Sequence, residues 1–138
     1  MSLPRVADLA VDTLPTMRDS RGALTVVDLA ARLPFAVVRL FFVTDVPAGM
    51  VRGQHGHYRC SQYFLCQAGR LQTTVSDGDE ERVFMLEPGQ GLLVRPGIFA
   101  SETYLEPGTI LQVLCDRPYE KDDYIHDMDE LRAWRSRT

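Results

Sequence analysis

The chain has 138 residues, 45% apolar and 25% charged: enough to bury one core and too few to need a second domain, so residues 1–138 read as one domain. A formal net charge of −4 argues against a nucleic-acid partner held through neutralised phosphates, although a local arginine cluster can still hold a small anion. The longest apolar run, Leu33 to Val43, is broken by Arg39 and is too short to cross a bilayer; Cys60, Cys66 and Cys115, behind no secretory leader, read as reduced thiols of a cytoplasmic protein.

In chain order, Met1 to Met17 alternates weakly through Val6, Leu9, Val11 and Leu14, which fits an edge strand or an arm laid on a neighbouring subunit. Asp19-Ser-Arg-Gly22 is a turn, and Ala23 to Asp28 has the β-branched content of a short strand. Leu29 to Pro34 allows one helical turn. Val37 to Val43 is a strand that carries Arg39 inside an apolar run. Tyr63 to Cys66 reads as a buried strand, and Leu71 to Val75 and Arg82 to Leu86 flank Ser76-Asp-Gly-Asp79 as a hairpin. Leu92 to Val94, Phe99 to Tyr104 and Thr109 to Cys115 follow, separated by Arg95-Pro-Gly97 and Glu106-Pro-Gly108. The period then changes: Ile125, Met128, Leu131 and Trp134 fall in i, i+3 steps, predicting one terminal helix over 123–134. Many short strands without βαβ alternation predict an antiparallel jelly roll or small barrel.

The chemical centre is the stretch Gly49 to Gly69, which holds two of the three histidines. In an extended strand residues i and i+2 share a face, so His55 and His57 present both imidazoles to one cavity. Two imidazoles alone do not make a strong site for a first-row metal, and no metal or other cofactor is expected. Cys60 and Cys66 read as small core hydrophobes, His126 as a solvated surface residue, and Tyr58, Tyr63 and Tyr104 as either core or cavity lining.

The spacing Gly49-x5-His55-x-His57-x4-Gln62-x6-Gly69 resembles the first motif of the cupin superfamily, with Gln62 where metal-binding cupins carry Glu. The Pro-Gly turn of the second motif matches Arg95-Pro-Gly97, and Ala100 stands where a third histidine ligand is usual. Within the cupins the chain is most similar to the sugar-nucleotide 3,4-ketoisomerases. Asp19-Ser-Arg-Gly22, Val38 to Val43, Arg52-Gly-Gln-His55-Gly-His57 with Gln62, and the tail Tyr119-Glu-Lys-Asp-Asp123-Tyr124-Ile125 carry that similarity in the family's order. The chain departs from the family pattern at Gly56 and Tyr58, where Ala and Lys are usual, and at Phe99-Ala100, where Trp-His is usual.

The resemblance implies an all-β cupin jelly-roll barrel with a short C-terminal helix, a homodimer, and a dTDP-linked keto-deoxysugar as ligand, with no nucleic-acid or membrane partner. It also implies His55 and His57 as acid and base in a 3,4-ketoisomerase acting through an enediol. Imidazole suits this because its ordinary pKa lies near operating pH. For the pyrophosphate, Arg39 and Arg52 are the first candidates and Arg21 and Arg95 the next, since guanidinium presents a planar fork to phosphate oxygens. Gln62 is a further substrate contact, and Phe99 or Tyr63 could stack on the base. Two other readings stay open: a sugar-nucleotide epimerase of the same fold, and a non-catalytic cupin that binds a small ligand.

Overall fold

β-Branched and aromatic blocks pack well on a pleated, half-buried surface, and the Gly, Pro and Asp turns between them leave each block as a short strand. A computed structural model of the chain describes residues 2–138; Met1, with which the expected N-terminal arm begins, lies outside the described residues. The strands are β1 (Val11–Thr13), β2 (Thr16–Asp19), β3 (Gly22–Thr25), β4 (Arg39–Val43), β5 (Val51–His57), β6 (Gln62–Ala68), β7 (Leu71–Ser76), β8 (Glu81–Leu86), β9 (Gln90–Val94), β10 (Phe99–Tyr104), β11 (Ile110–Cys115) and β12 (Tyr124–Ile125). Helix α1 is the single turn Leu29–Arg32, and α2 is Met128–Ser136.

Two five-stranded antiparallel sheets form the jelly roll, in the orders β1-β9-β6-β11-β4 and β12-β5-β10-β7-β8, and β2 and β3 pair as a separate hairpin. Their inner faces supply the core, with Phe64, Cys66, Leu92, Val94, Leu111 and Val113 from one sheet meeting Leu71, Val75, Leu86, Ala100 and Tyr104 from the other. A smaller cluster lies on the outer face of the first sheet, where Leu14, Leu33 and Val27 cover Tyr63, Leu65 and Leu114. Strand β6 is therefore covered on both faces, which is why it reads as a continuous apolar run.

The terminal helix is shorter than the i, i+3 pattern predicts. Tyr124 and Ile125 are strand residues, paired with His57 and Gly56 at the edge of the second sheet. The helix starts only after Asp127, whose carboxylate accepts the Glu130 N–H at 2.8 Å as an N-cap. Leu131 then seats α2 with no exposed surface, and Arg135 donates to the carbonyls of Gly97 and Pro4 at 2.8 and 2.9 Å.

The pairing of β5 with β10 carries one irregularity that matters for chemistry. Ala100 is opposite His55 and Glu102 opposite Arg52, so two steps on β10 span three on β5. The extra residue is absorbed at Gly53 and Gln54, whose φ values of 91° and 48° lie in the left-handed region. Regular alternation would put Arg52 on the opposite face from His55; the bulge turns both to one cavity, with Arg52 exposed at its mouth.

Candidate active site

His55 and His57 come from the end of β5 and share a face, as their spacing requires; the imidazole centroids are 5.2 Å apart with the planes perpendicular. His55 Nδ1 lies 2.6 Å from the carbonyl oxygen of Gly53. A carbonyl only accepts, so in the neutral ring Nδ1 carries the proton and Nε2 keeps a free lone pair. Burial lowers the His55 pKa, with the Gly53 contact working against it. His57 is only 5% exposed and its Nε2 is buried without a partner. Burial, then the neighbouring His55, then Arg39 push its pKa down to about 3, so this ring is neutral.

Gly56, between the two, cannot be replaced freely: a Cβ there would stand 2.9 Å from the Ile98 carbonyl oxygen. This explains the glycine at a position where relatives by resemblance carry alanine. Tyr58, the second departure, has left the site. Its ring meets Trp134 edge-on at 5.3 Å and its hydroxyl bonds Glu130, so it fastens α2 to the end of β5.

A third ring completes the pair. Tyr124 on β12 lies 4.9 Å from His55 and 4.7 Å from His57, centroid to centroid. Arg39, at the start of β4 in the opposite sheet, brings its charge close to Tyr124 and Cys60, while its Nε donates to the Arg117 carbonyl at 3.3 Å. Behind it lie the buried thiols of Cys60, which donates to the Ser61 carbonyl at 3.5 Å, and Cys115, which the neighbouring Cys60 thiol keeps below the ordinary thiol value against burial. Gln62 Nε2 faces Cys115 Sγ at 3.6 Å.

The backbone after the histidines is held by Asp123. Its buried carboxylate accepts the N–H groups of Arg59 and Cys60 at 2.7 and 3.1 Å, and its carbonyl accepts from Tyr58 at 3.0 Å. The tail motif thus has two functions: Asp123 fixes the chain and Tyr124 walls the imidazoles.

A cavity of about 100 Å³ inside the barrel is lined by Arg52, His55, Gln62, Glu102 and Tyr104 with Phe41 and Phe64. The structure thus gathers Arg39, Arg52, His55, His57 and Gln62. The other sequence candidates lie elsewhere. Tyr63 is fully buried in the outer cluster with its hydroxyl on Asp12 at 3.1 Å, because alternation along β6 sends it away from the interior that Gln62 and Phe64 face. Phe99 alternates with inward Ala100 and faces out. Arg21 pairs with Asp19 at 2.7 Å on the exposed β2–β3 hairpin. Arg95 lines a separate recess of about 480 Å³ under the N-terminal segment, with Asp8, Asp12 and Arg32. Tyr124, Asp123 and Glu102 carry no assignment in the sequence analysis. The Asp-Tyr pair stood in a motif without a role, and Glu102 was legible as the inward alternate of Ala100 and Tyr104.

Two imidazoles and an amide turned towards a thiol do not form a set that would hold a first-row metal, and among the described residues no group of three or more His, Cys, Asp or Glu side chains is so placed.

A two-sheet antiparallel jelly roll with paired imidazoles facing its interior defines a cupin barrel. The chain belongs to the FdtA family, described as WxcM-like, C-terminal, which matches residues 7–136. It is 26% identical over 117 residues, 84% of each chain, to a TDP-4-oxo-6-deoxy-alpha-D-glucose-3,4-oxoisomerase of Aneurinibacillus thermoaerophilus. It superposes on QdtA, a sugar 3,4-ketoisomerase from Thermoanaerobacterium thermosaccharolyticum solved with TDP, with a TM-score of 0.87 and 26% identity over 96% of this chain and 97% of that one. A dTDP-4-dehydrorhamnose 3,5-epimerase from Bacillus anthracis shares the fold at a TM-score of 0.75 and 20% identity, over 85% of this chain and 77% of that one.

Proposed function

We propose that the chain is a metal-independent 3,4-ketoisomerase that moves the carbonyl of a TDP-linked 4-keto-6-deoxyhexose from C4 to C3. The observation that carries this reading is His55: a ring on the cavity wall, oriented through Nδ1, with Nε2 free to accept a proton. The similarity to the oxoisomerase and to QdtA supports the choice of reaction over epimerisation.

His55 removes the proton at C3, and the electron pair of that bond forms the C3–C4 double bond of an enediol. The same imidazole returns a proton to C4. His57, neutral throughout, acts at a sugar oxygen as a hydrogen-bond donor, since neutral imidazole can polarise a carbonyl without transferring charge. Arg52, exposed at the cavity mouth and in no ion pair among the described residues, and Arg39 take the pyrophosphate. Gln62 contacts the sugar.

The protein works as a homodimer in the cytoplasm. Val38, Leu40 and Phe42 expose 60%, 51% and 62% of their surface on the outer side of edge strand β4, which supports burial against a second copy. Three unpaired, buried thiols support a reducing compartment.

The test is proton NMR of TDP-4-keto-6-deoxyglucose with the protein in deuterated buffer. A new 3-keto sugar is the expected result, with deuterium at C4 in the turnovers in which the His55 imidazolium exchanges its proton with solvent before delivering it. An unchanged sugar, or exchange with inversion but no migration of the carbonyl, overturns the reading; light scattering of the same sample reads the dimer.

A further inference from the structure

Glu102 sits on the inward face of β10, between Ala100 and Tyr104, and is 6% exposed. Its Oε2 has no hydrogen-bond partner, and the carboxyl enters no ion pair among the described residues. It lines the cavity that His55 lines. The two groups meet at one residue: a Cβ on Gly53 would fall 2.7 Å from Glu102 Oε2, while the Gly53 carbonyl orients the His55 ring. Glycine at 53 is thus what lets the carboxyl occupy that space.

A buried acid with an orphan oxygen is unfavourable for folding, and no hydrogen bond among the described residues compensates that oxygen. A ligand oxygen in the cavity would. Burial among aromatic and aliphatic walls raises its pKa to about 8, against the opposing charge of Arg52, so the carboxyl is protonated at neutral pH and has a proton to give. The groups that face it are Arg52 on β5 and Tyr104 on its own strand, with His55 further along β5.

We propose that Glu102 carries the proton between the two adjacent sugar oxygens during ketoisomerisation, an assignment that rests on the reaction proposed above. As His55 takes the C3 proton, the C4 carbonyl π electrons move onto its oxygen, which takes the proton of Glu102; the carboxyl becomes a carboxylate. That carboxylate then removes the proton of the C3 hydroxyl. The O–H pair closes the new C3 carbonyl, and the double-bond pair takes the proton of the His55 imidazolium at C4. Glu102 ends protonated and His55 neutral, as both began. One carboxyl suffices because the two oxygens sit on neighbouring carbons.

The experiment compares wild type, Glu102→Gln and Glu102→Met with TDP-4-keto-6-deoxyglucose across pH, alongside TDP affinity and thermal melting. In the wild type kcat/KM falls as pH rises through about 8, because the acid form of Glu102 is required. Both variants bind TDP within about threefold of wild type, lose about 100-fold in kcat, and lack that alkaline limb in their residual activity. The methionine variant melts higher, since it removes a buried unpartnered acid, and it reads the same loss if the glutamine variant does not fold. Turnover within threefold of wild type in either folded variant overturns the Glu102 assignment alone. A wild type that leaves the sugar unchanged overturns the ketoisomerase reading and this assignment with it.

Discussion

The phenol ring of Tyr124 packs 4.7 Å from the imidazole of His57, centroid to centroid and tilted by 54°, from a two-residue strand paired directly to the histidine strand. This contact fixes the orientation of a ring that has no hydrogen bond at Nε2. Aromatic contacts of this kind contribute about 0.5–1.5 kcal/mol. Tyr124→Ala is therefore expected to lower kcat/KM about tenfold with little change in the circular dichroism spectrum. Tyr124→Phe keeps the ring and loses only a hydroxyl that lies in the field of Arg39, so its cost should appear mainly in KM. Equal kcat for Tyr124→Ala and wild type would remove the positioning role.

The two histidines should fail differently. With His55→Asn the carbon base is gone, and both turnover and solvent-deuterium exchange at the sugar carbons should drop at least about 100-fold. His57→Asn should slow turnover yet leave measurable exchange, because His55 still holds its Nδ1 contact with Gly53. Exchange surviving in His55→Asn but lost in His57→Asn would reverse the assignment.

Stability should respond to pH through His57 and Glu102 in opposite directions. Folded His57 takes its proton only at about 3, against 6.5 for an ordinary histidine, so the unfolded chain binds the extra proton in between. Its contribution is complete above pH 6.5 and is lost as pH falls towards 3, with a slope of about 1.4 kcal/mol per pH unit. Glu102 has a folded value of about 8 against 4.5, so its contribution is complete below 4.5 and is lost as pH rises towards 8. The two oppose each other where the windows overlap. Urea unfolding of wild type and His57→Asn at about pH 5 and about pH 6.5 isolates the first: wild type should lose stability relative to the variant on acidification. Parallel behaviour of the two proteins would contradict it.

Asp123 closes the backbone next to the site with hydrogen bonds at 2.7 and 3.1 Å to the Arg59 and Cys60 N–H groups. Removing the carboxyl leaves both donors unsatisfied near a buried carbon wall, at about 1–3 kcal/mol each. Asp123→Ala should thus lower the urea midpoint by the equivalent of about 2–4 kcal/mol, and Asp123→Asn, which keeps one acceptor oxygen, by clearly less. A loss under about 0.5 kcal/mol for the alanine variant would show that the clamp is dispensable.

Local rules carried much of the reading. Strand alternation alone puts His55 and His57 on one face, turn residues mark the strand limits, and an arginine inside an apolar run points to Arg39. What alternation does not decide is which face is interior. On β6, covered on both sides, that ambiguity made Tyr63 a candidate when its ring belongs to the outer cluster and the inward positions are Gln62 and Phe64. The bulge at Gly53 and Gln54 changes the phase of β5 and brings Arg52 to the mouth of the cavity, a shift set by pairing with β10. Ile125 follows the spacing of a helix, yet pairing with Gly56 made it a strand residue. Tyr124, Asp123 and Glu102 reach the site only across strands distant in the chain. Sequence periodicity therefore determined the paired imidazoles and the barrel class. Long-range strand pairing decided the aromatic wall, the backbone clamp and the buried acid, because contacts between distant segments follow from register and burial, which no local pattern encodes.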